Sequence, residues 1–301
     1  MRPGPLVRAR ATDGRSGVPG GQNQGVSLSI EPRTSLASLD VLRAELRTLG
    51  QVVVAFSGGA DSAFLAWVAH DTLGSHGCEA VTAVSPSLAG DDRAECEALA
   101  AEWGLRWRTV STDEMQRAAY RANDGDRCYH CKSALMDAVE PVVASAGVGT
   151  TVVLGVNLDD LGDHRPGQRA AAERGAAFPL VTAGFTKADV RAFSRELGLR
   201  TWDKPAAACL ASRVPYGTAV NVAVLSRVER AEAAVRRLGF VALRVRHYDD
   251  TARLEVPLAD LARVLDQRAE VVAAVRGAGY RYVTLDLEGL RSGNLNDALV
   301  R

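Results

Sequence analysis

From about residue 37 onward, short apolar runs alternate with longer amphipathic stretches. Residues 39–49 predict a helix. Val52-Val53-Val54-Ala55-Phe56 is a continuous apolar run that ends in Ser-Gly-Gly, the pattern of a parallel strand buried on both faces. Residues 61–73 then predict a helix, 80–84 a strand, 91–103 a helix, 106–110 a strand, 132–146 a helix and 151–154 a strand. A helix over 187–197 follows, with Thr186 as its cap. Strands alternating with helices predict an α/β fold, a parallel sheet with helices on both faces. Ligands in such sheets bind at the carboxyl ends of strands, and the segment after Phe56 is one such end.

The pattern changes after about residue 215. A long amphipathic helix is predicted over 222–238, then strands over 241–247 and 252–256 joined by a turn at Asp249-Asp250. Residues 258–278 read as helical, in one piece or two, and 280–285 as a last strand. This order predicts a small C-terminal α/β domain. The expected organisation is a disordered tail over 1–36, rich in Gly, Pro, Arg and Ser, a larger domain over 37–215 and a smaller one over 216–301.

Composition narrows the function class. Thirty-six basic and 36 acidic residues cancel in a chain of 301, which argues against phosphate neutralisation as its business. No apolar run approaches the roughly 18–20 residues that span a bilayer, and the first residues carry no apolar core of a secretory signal. A cytoplasmic protein without a membrane partner is expected. The five cysteines (Cys78, Cys96, Cys128, Cys131, Cys209) are an odd number. Without an export signal they favour metal binding or sulfur chemistry over a disulfide framework.

The sharpest local signal is Phe56-Ser57-Gly58-Gly59-Ala60-Asp61-Ser62. Two glycines let backbone approach an anion, the serines offer hydroxyls, and the start of the next helix offers unpaired N–H groups. No Lys-Ser or Lys-Thr pair follows, so this is not a Walker A loop. It suits the pyrophosphate of ATP, with Asp61 placed to hold magnesium or the loop itself. The residues match the SGGxDS signature of the PP-loop ATP pyrophosphatases, a resemblance that implies a Rossmann-like domain and an adenylated intermediate.

Cys128 and Cys131 form a C-x-x-C at a helix start, and Cys209 sits in Ala208-Cys-Leu-Ala-Ser-Arg213. Three thiolates fit three corners of a [4Fe–4S] cluster. With a histidine they would suit zinc, and the pair alone would suit redox chemistry. Arg127 and Lys132 flank the pair and are expected to lower its thiol pKa values. Cys78 and Cys96 read as ordinary small apolar residues.

Several strings together carry a more specific resemblance: Arg127-Cys-Tyr-His-Cys-Lys132, Gly155-Val-Asn-Leu-Asp-Asp160 with His164-Arg-Pro-Gly167, the Cys209 string with Pro215-Tyr-Gly217, and Leu290-Arg-Ser-Gly-Asn-Leu-Asn296. From about residue 37 to the end the chain resembles the LarE family of ATP-dependent sulfur transferases. The resemblance implies adenylation of a carboxylate of pyridinium-3,5-biscarboxylic acid mononucleotide, using ATP and magnesium. Sulfur then displaces AMP to give a thiocarboxylate, and a separate protein inserts nickel to complete the lactate racemase cofactor. The family has two sulfur strategies. In one, the cysteine at the position of Cys209 surrenders its own sulfur; in the other, three cysteines hold a [4Fe–4S] cluster that passes on an extra sulfide. The presence of Cys128 and Cys131 favours the second, with an external sulfide donor.

By position, Ser57, Gly58, Gly59, Asp61 and Ser62 are expected at the ATP phosphates and magnesium, with Gly155, Asn157 and Asp160 near the nucleotide. Arg213 is expected on a phosphate or in a surface salt bridge. Arg244 and Arg246 alternate on one strand face and would pair on a phosphate. Glu232 resembles a metal-linked carboxylate of the family; the alternative is a solvated helix face beside Arg236. Arg291, Ser292 and Asn294 belong to the last string, without an assigned role. Trp103 and Trp107 are expected in core packing. The resemblance also implies a homo-oligomer, hexameric in the family. Two competing readings remain: a tRNA thiolase of the same superfamily, and a non-catalytic adenine-nucleotide-binding protein with a zinc-stapled helix.

Overall fold

The computed structural model describes residues 37–162, 166–205 and 208–291. The expected tail over 1–36 lies outside them, as do His164, Ser292 and Asn294. Four strands, β1 (Val52–Ala55), β2 (Cys78–Val84), β3 (Trp107–Ser111) and β4 (Thr151–Leu154), form a sheet in the order β3-β2-β1-β4. All neighbours are parallel, with Val52 opposite Cys78 on one side and Thr151 on the other. The helices of this part are α1 (Leu39–Leu49), α2 (Ala60–Gly77), α3 (Gly90–Trp103), α4 (Ala118–Ala122), α5 (Arg127–Ala146), α6 (Pro166–Glu173), α7 (Pro179–Thr182) and α8 (Lys187–Glu196).

Strand β1 shows why the apolar run is continuous. Val52 and Val54 face a core with Phe64, Leu65, Leu99 and Val190, while Val53 faces Val81, Val139 and Val152 on the other side. Each fully buried Leu or Phe there contributes roughly 1.5–3 kcal/mol. The chain leaves β1 toward β2 on one side and returns to β4 on the other. The carboxyl end of β1 is therefore a topological switch point, where α/β sheets bind ligands.

The C-terminal part has a mixed sheet in the order β5-β6-β7: β5 (Arg244–Tyr248) antiparallel to β6 (Thr251–Glu255), and β6 parallel to β7 (Tyr282–Leu285). Helices α9 (Val222–Arg236), α10 (Leu261–Asp266) and α11 (Arg268–Gly277) accompany it, and Ala231, Val235, Val271 and Val275 pack a core against Val245 and Leu254. A further cluster (Ala89, Tyr120, Leu210, Val214, Val228) packs α9 and the Cys209 segment against the first sheet's loops.

Most expected elements are present, with shifted ends. The helix predicted from residue 61 runs over Ala60–Gly77, but Gly74 has φ 70° and ψ 179°, so regular helix stops where the sequence pattern stops. The helix predicted from 132 starts at Arg127, which places Cys128 and Cys131 inside its first turns. The strand predicted from 241 starts at Arg244. Thr186 caps α8 as expected, with a reciprocal bond between Asp189 and the Thr186 amide. Helices α4, α6 and α7, of five, eight and four residues, were not expected. Among the described residues, no helix is long and apolar enough to cross a membrane.

Candidate nucleotide and sulfur-transfer site

The loop after β1 is held by its own residues. The Ser57 amide donates to Ser62 Oγ at 3.3 Å, the two hydroxyls lie 3.0 Å apart, and Ser62 Oγ donates to the Gly59 carbonyl at 3.1 Å. Gly58 has φ +67°, and a Cβ there would stand 2.9 Å from Cys96 Sγ, so neither conformation nor space admits a side chain. Cys96 is thus the buried floor of the loop. Gly59 caps α2 without a side-chain bond, leaving the first helical N–H groups for an anion.

The end of β4 completes this place. A Cβ on Gly155 would stand 2.8 Å from Asp61 C and Ser62 N, so the glycine lets β4 press against the first turn of α2. Asn157 Nδ2 donates to Asp61 Oδ1 at 3.0 Å, and the Asn157 amide donates to Asp160 Oδ2 at 3.3 Å. Asp160 also pairs with Lys187 at 3.0 Å. Burial is the main reason that the Asp61 carboxyl titrates above its ordinary value, with Asp160 adding to it against the Asn157 hydrogen bond. Asn157 is fully buried, yet its Oδ1 has no partner. A desolvated carboxylate beside an unpaired amide oxygen is a hard-oxygen donor set that fits magnesium.

Cys128 and Cys209 lie near enough to Cys131 for their charges to act on its thiol. The thiol of Cys131 is pushed up to about 12, chiefly by burial; Lys132 opposes this, while Cys209, Glu114 and Cys128 add to it. Cys209 and Cys128 both act on Arg127 as well. The expected lowering by flanking cations is therefore overturned at Cys131: desolvation outweighs Lys132. Cys128 and Cys209 are exposed. Among the described residues, no trio of His, Cys, Asp or Glu is arranged around one metal-ion position. In a [4Fe–4S] cluster each thiolate binds its own iron, so the soft sulfur donors of Cys128, Cys131 and Cys209 match such a cluster in kind. Cys78 and Cys96 are buried, as expected of small apolar residues.

The Cys209 loop is docked on the same sheet end. The Leu210 amide donates to the Ser87 carbonyl, just beyond β2, at 2.9 Å. Arg127 donates to the Ala211 carbonyl at 2.9 Å. Arg213 donates to the Cys209 carbonyl at 3.1 Å and to Glu232 at 2.8 and 3.2 Å. Arg213 is therefore buried in an ion pair and not on the surface. Glu232 is fully buried, not solvated; its oxygens also accept from Arg236 and the Val245 amide, each at 3.0 Å. A metal on Glu232 would have to displace these partners.

Arg246 forks onto Glu255 with two 2.9 Å bonds and donates to the Ser212 carbonyl at 2.6 Å. It is 2% exposed, so the expected pairing with Arg244 on one phosphate does not stand as drawn. Arg244 is half-buried and donates to the Arg291 carbonyl at 3.0 Å. Burial, then Arg246 and Arg213, hold its pKa below the ordinary value, the electrostatics of a place that attracts an anion. Trp107 is packed against the core with its indole N–H on Thr82, as expected, and Trp103 packs beside it.

One cation was missed. Lys204 Nζ donates to the Gly58 carbonyl at 2.9 Å from 146 positions along the chain. Lys204-Pro205 has no motif around it, so only the fold reveals it.

A family model described as NAD synthase matches residues 36–154. The chain is 43% identical over 267 residues to an uncharacterized protein of Synechocystis sp., covering 88% of this chain and 99% of the relative. It is 37% identical over 260 residues to the pyridinium-3,5-bisthiocarboxylic acid mononucleotide synthase of Lactiplantibacillus plantarum, covering 86% and 94%. An uncharacterized protein of Methanocaldococcus jannaschii is 24% identical over 242 residues, covering 80% and 91%. With the phosphate loop at a switch point and a relative this similar over nearly both full lengths, the chain belongs to the LarE family, ATP-dependent sulfur transferases built on a PP-loop domain.

Proposed function

We propose that this enzyme adenylates the carboxylates of pyridinium-3,5-biscarboxylic acid mononucleotide and converts them to thiocarboxylates. The observation that carries this reading is the shared sheet end: the ATP loop follows β1, and the Cys209 loop hangs on Ser87 just beyond the neighbouring β2. An activated carboxyl formed at one is then presented to the other.

The chemistry follows from the groups present. The Ser57–Ser62 loop and the N-terminus of α2 bind the phosphates, and Asp61 with Asn157 would hold magnesium, which would supply positive charge for them. A substrate carboxylate oxygen bonds to the α-phosphorus, the bond to the bridging oxygen breaks, and pyrophosphate leaves with the electron pair. AMP is then the leaving group for a sulfur nucleophile at the acyl carbon. Cys128, Cys131 and Cys209 would hold a [4Fe–4S] cluster. Such a cluster supplies an open iron that carries an exchangeable sulfide. Arg213 holds the Cys209 loop through its carbonyl, and Arg244 supplies positive charge for the phosphate of the mononucleotide. The C-terminal part over 216–301 would serve substrate binding and assembly into a homo-oligomer. A sulfide donor upstream, a nickel-inserting protein downstream and a cytoplasmic location complete the reading.

A second sulfur strategy is favoured by one observation: Cys209 is exposed and open to direct attack on the adenylate. Counting thiolated mononucleotide per protomer separates the two. The assay follows anaerobic reconstitution with iron and sulfide, and contains ATP, magnesium and excess sulfide. Many products per protomer support the cluster. A ceiling of one sulfur, with the protein lighter by hydrogen sulfide, makes Cys209 the donor. No product overturns the pincer-cofactor reading and brings forward the tRNA thiolase, which a salt-dependent tRNA-binding assay would then test.

A further inference from the structure

The phosphate loop has no lysine of its own, and the fold brings one to it. Lys204 Nζ lies 2.9 Å from the Gly58 carbonyl and 3.8 Å from where a Gly58 Cβ would stand. Its backbone is fixed: the Lys204 amide donates to the Thr201 carbonyl at 3.1 Å, and Arg191 donates to the Lys204 carbonyl at 3.3 Å. The ammonium is not consumed by a close carboxylate. Its nearest ion partner, Glu95, is 4.0 Å away and is already bound by Arg200 at 2.6 Å. An ammonium carries three donors, and a neutral carbonyl uses one.

We propose that Lys204 is a phosphate-binding residue of the ATP site, taking from a distant part of the same chain the role a loop lysine has in other nucleotide folds. The inference rests on the reading of residues 56–62 as the ATP loop. With ATP bound, Nζ turns from the Gly58 carbonyl onto a phosphate oxygen. It then faces the charge that grows on pyrophosphate as the α-phosphorus bond to the bridging oxygen breaks. It is also the start of the segment that leads to Cys209, so the residue that senses the phosphates lies five positions before the sulfur site.

The test uses the full-length enzyme and three probes: ATP with magnesium, inorganic pyrophosphate, and adenosine, which has no phosphate. Lys204→Met is expected to weaken ATP and pyrophosphate binding at least tenfold while leaving adenosine binding and the thermal midpoint unchanged. Lys204→Arg is expected to restore part of the loss. Pyrophosphate release with the mononucleotide should slow about a hundredfold in Lys204→Met. Unchanged ATP and pyrophosphate binding overturns the proposal. So does a parallel loss of adenosine binding or of the fold, which would make Lys204 a pin for the loop. The binding arms need no thiolation substrate, so they stand even if wild-type protein makes no thiocarboxylate.

Discussion

Arg213 and Glu232 form a two-point ion pair, with Nε to Oε1 at 2.8 Å and Nη2 to Oε2 at 3.2 Å, that ties the Cys209 loop to α9. Both side chains are almost fully buried. Such a pair is poor evidence for net stability, but breaking it leaves a charge without a partner. Glu232→Ala is expected to cost roughly 3–5 kcal/mol in urea denaturation. The double change Arg213→Met, Glu232→Leu should cost less than Glu232→Ala alone. Equal or greater loss in the double variant would show that the pair acts through something other than buried charge.

Gly155 is not among the glycines of positive φ, so the constraint visible there is space. A Cβ would meet Asp61 and Ser62 backbone at 2.8 Å, and backbone cannot rotate away. Gly155→Ala is expected to destabilise by about 1–3 kcal/mol and to weaken ATP binding at least tenfold, because the start of α2 must move. Calorimetric titration with ATP and magnesium measures this. Wild-type affinity in the variant would mean that β4 and α2 slide apart without harm.

The three cysteines should differ in reactivity before any cluster is assembled. Cys131 is half-buried with its thiol pushed up to about 12, whereas Cys128 and Cys209 are exposed. The thiolate is the reactive form. With iodoacetamide at pH 8, peptide mapping should find Cys128 and Cys209 alkylated well before Cys131, and reconstitution with iron and sulfide should protect all three. Modification of Cys131 as fast as Cys128 would contradict the burial argument.

His247, on β5, gives the C-terminal part a pH dependence. Its Nδ1 lies 3.1 Å from Tyr280 Oη, and burial, then Arg227, hold its pKa below 6.5 against a smaller opposing effect of Asp249. The unfolded chain therefore binds this proton more readily than the folded one. Stability is full above pH 6.5 and declines as pH falls through that value. Urea midpoints between pH 7.5 and 5 should fall more steeply for wild type than for His247→Asn. Parallel slopes would assign the acid loss to other groups.

Strands β1 and β4 were legible because parallel strands buried on both faces leave continuous apolar runs such as 52–56. The ATP loop was legible because its parts are contiguous: Ser57, Gly58, Gly59, Asp61 and Ser62 all contribute within one turn of chain. The Asp61–Asn157 contact was half legible; Gly155 and Asn157 stood out only in a string resembling a family, not through any local rule. Helices α4, α6 and α7 were missed because five, eight and four residues are too few to display a helical repeat along the sequence.

What sequence alone determined is what neighbouring residues do to one another: the α/β alternation, the phosphate loop, the Thr186 cap, the C-x-x-C on one helix. What only tertiary structure decided is which charges are spent. Arg246 looked free beside Arg244, yet Glu255 binds it across the hairpin. Glu232 read either as a metal-linked carboxylate or as a solvated one beside Arg236, yet it is buried between Arg213 and Arg236. Lys132 was expected to lower the Cys131 thiol, yet burial overrides it. Lys204 had no signature, yet it lies on the phosphate loop. Partner choice and desolvation depend on distances between chain segments far apart in sequence, and those distances exist only once the chain has packed.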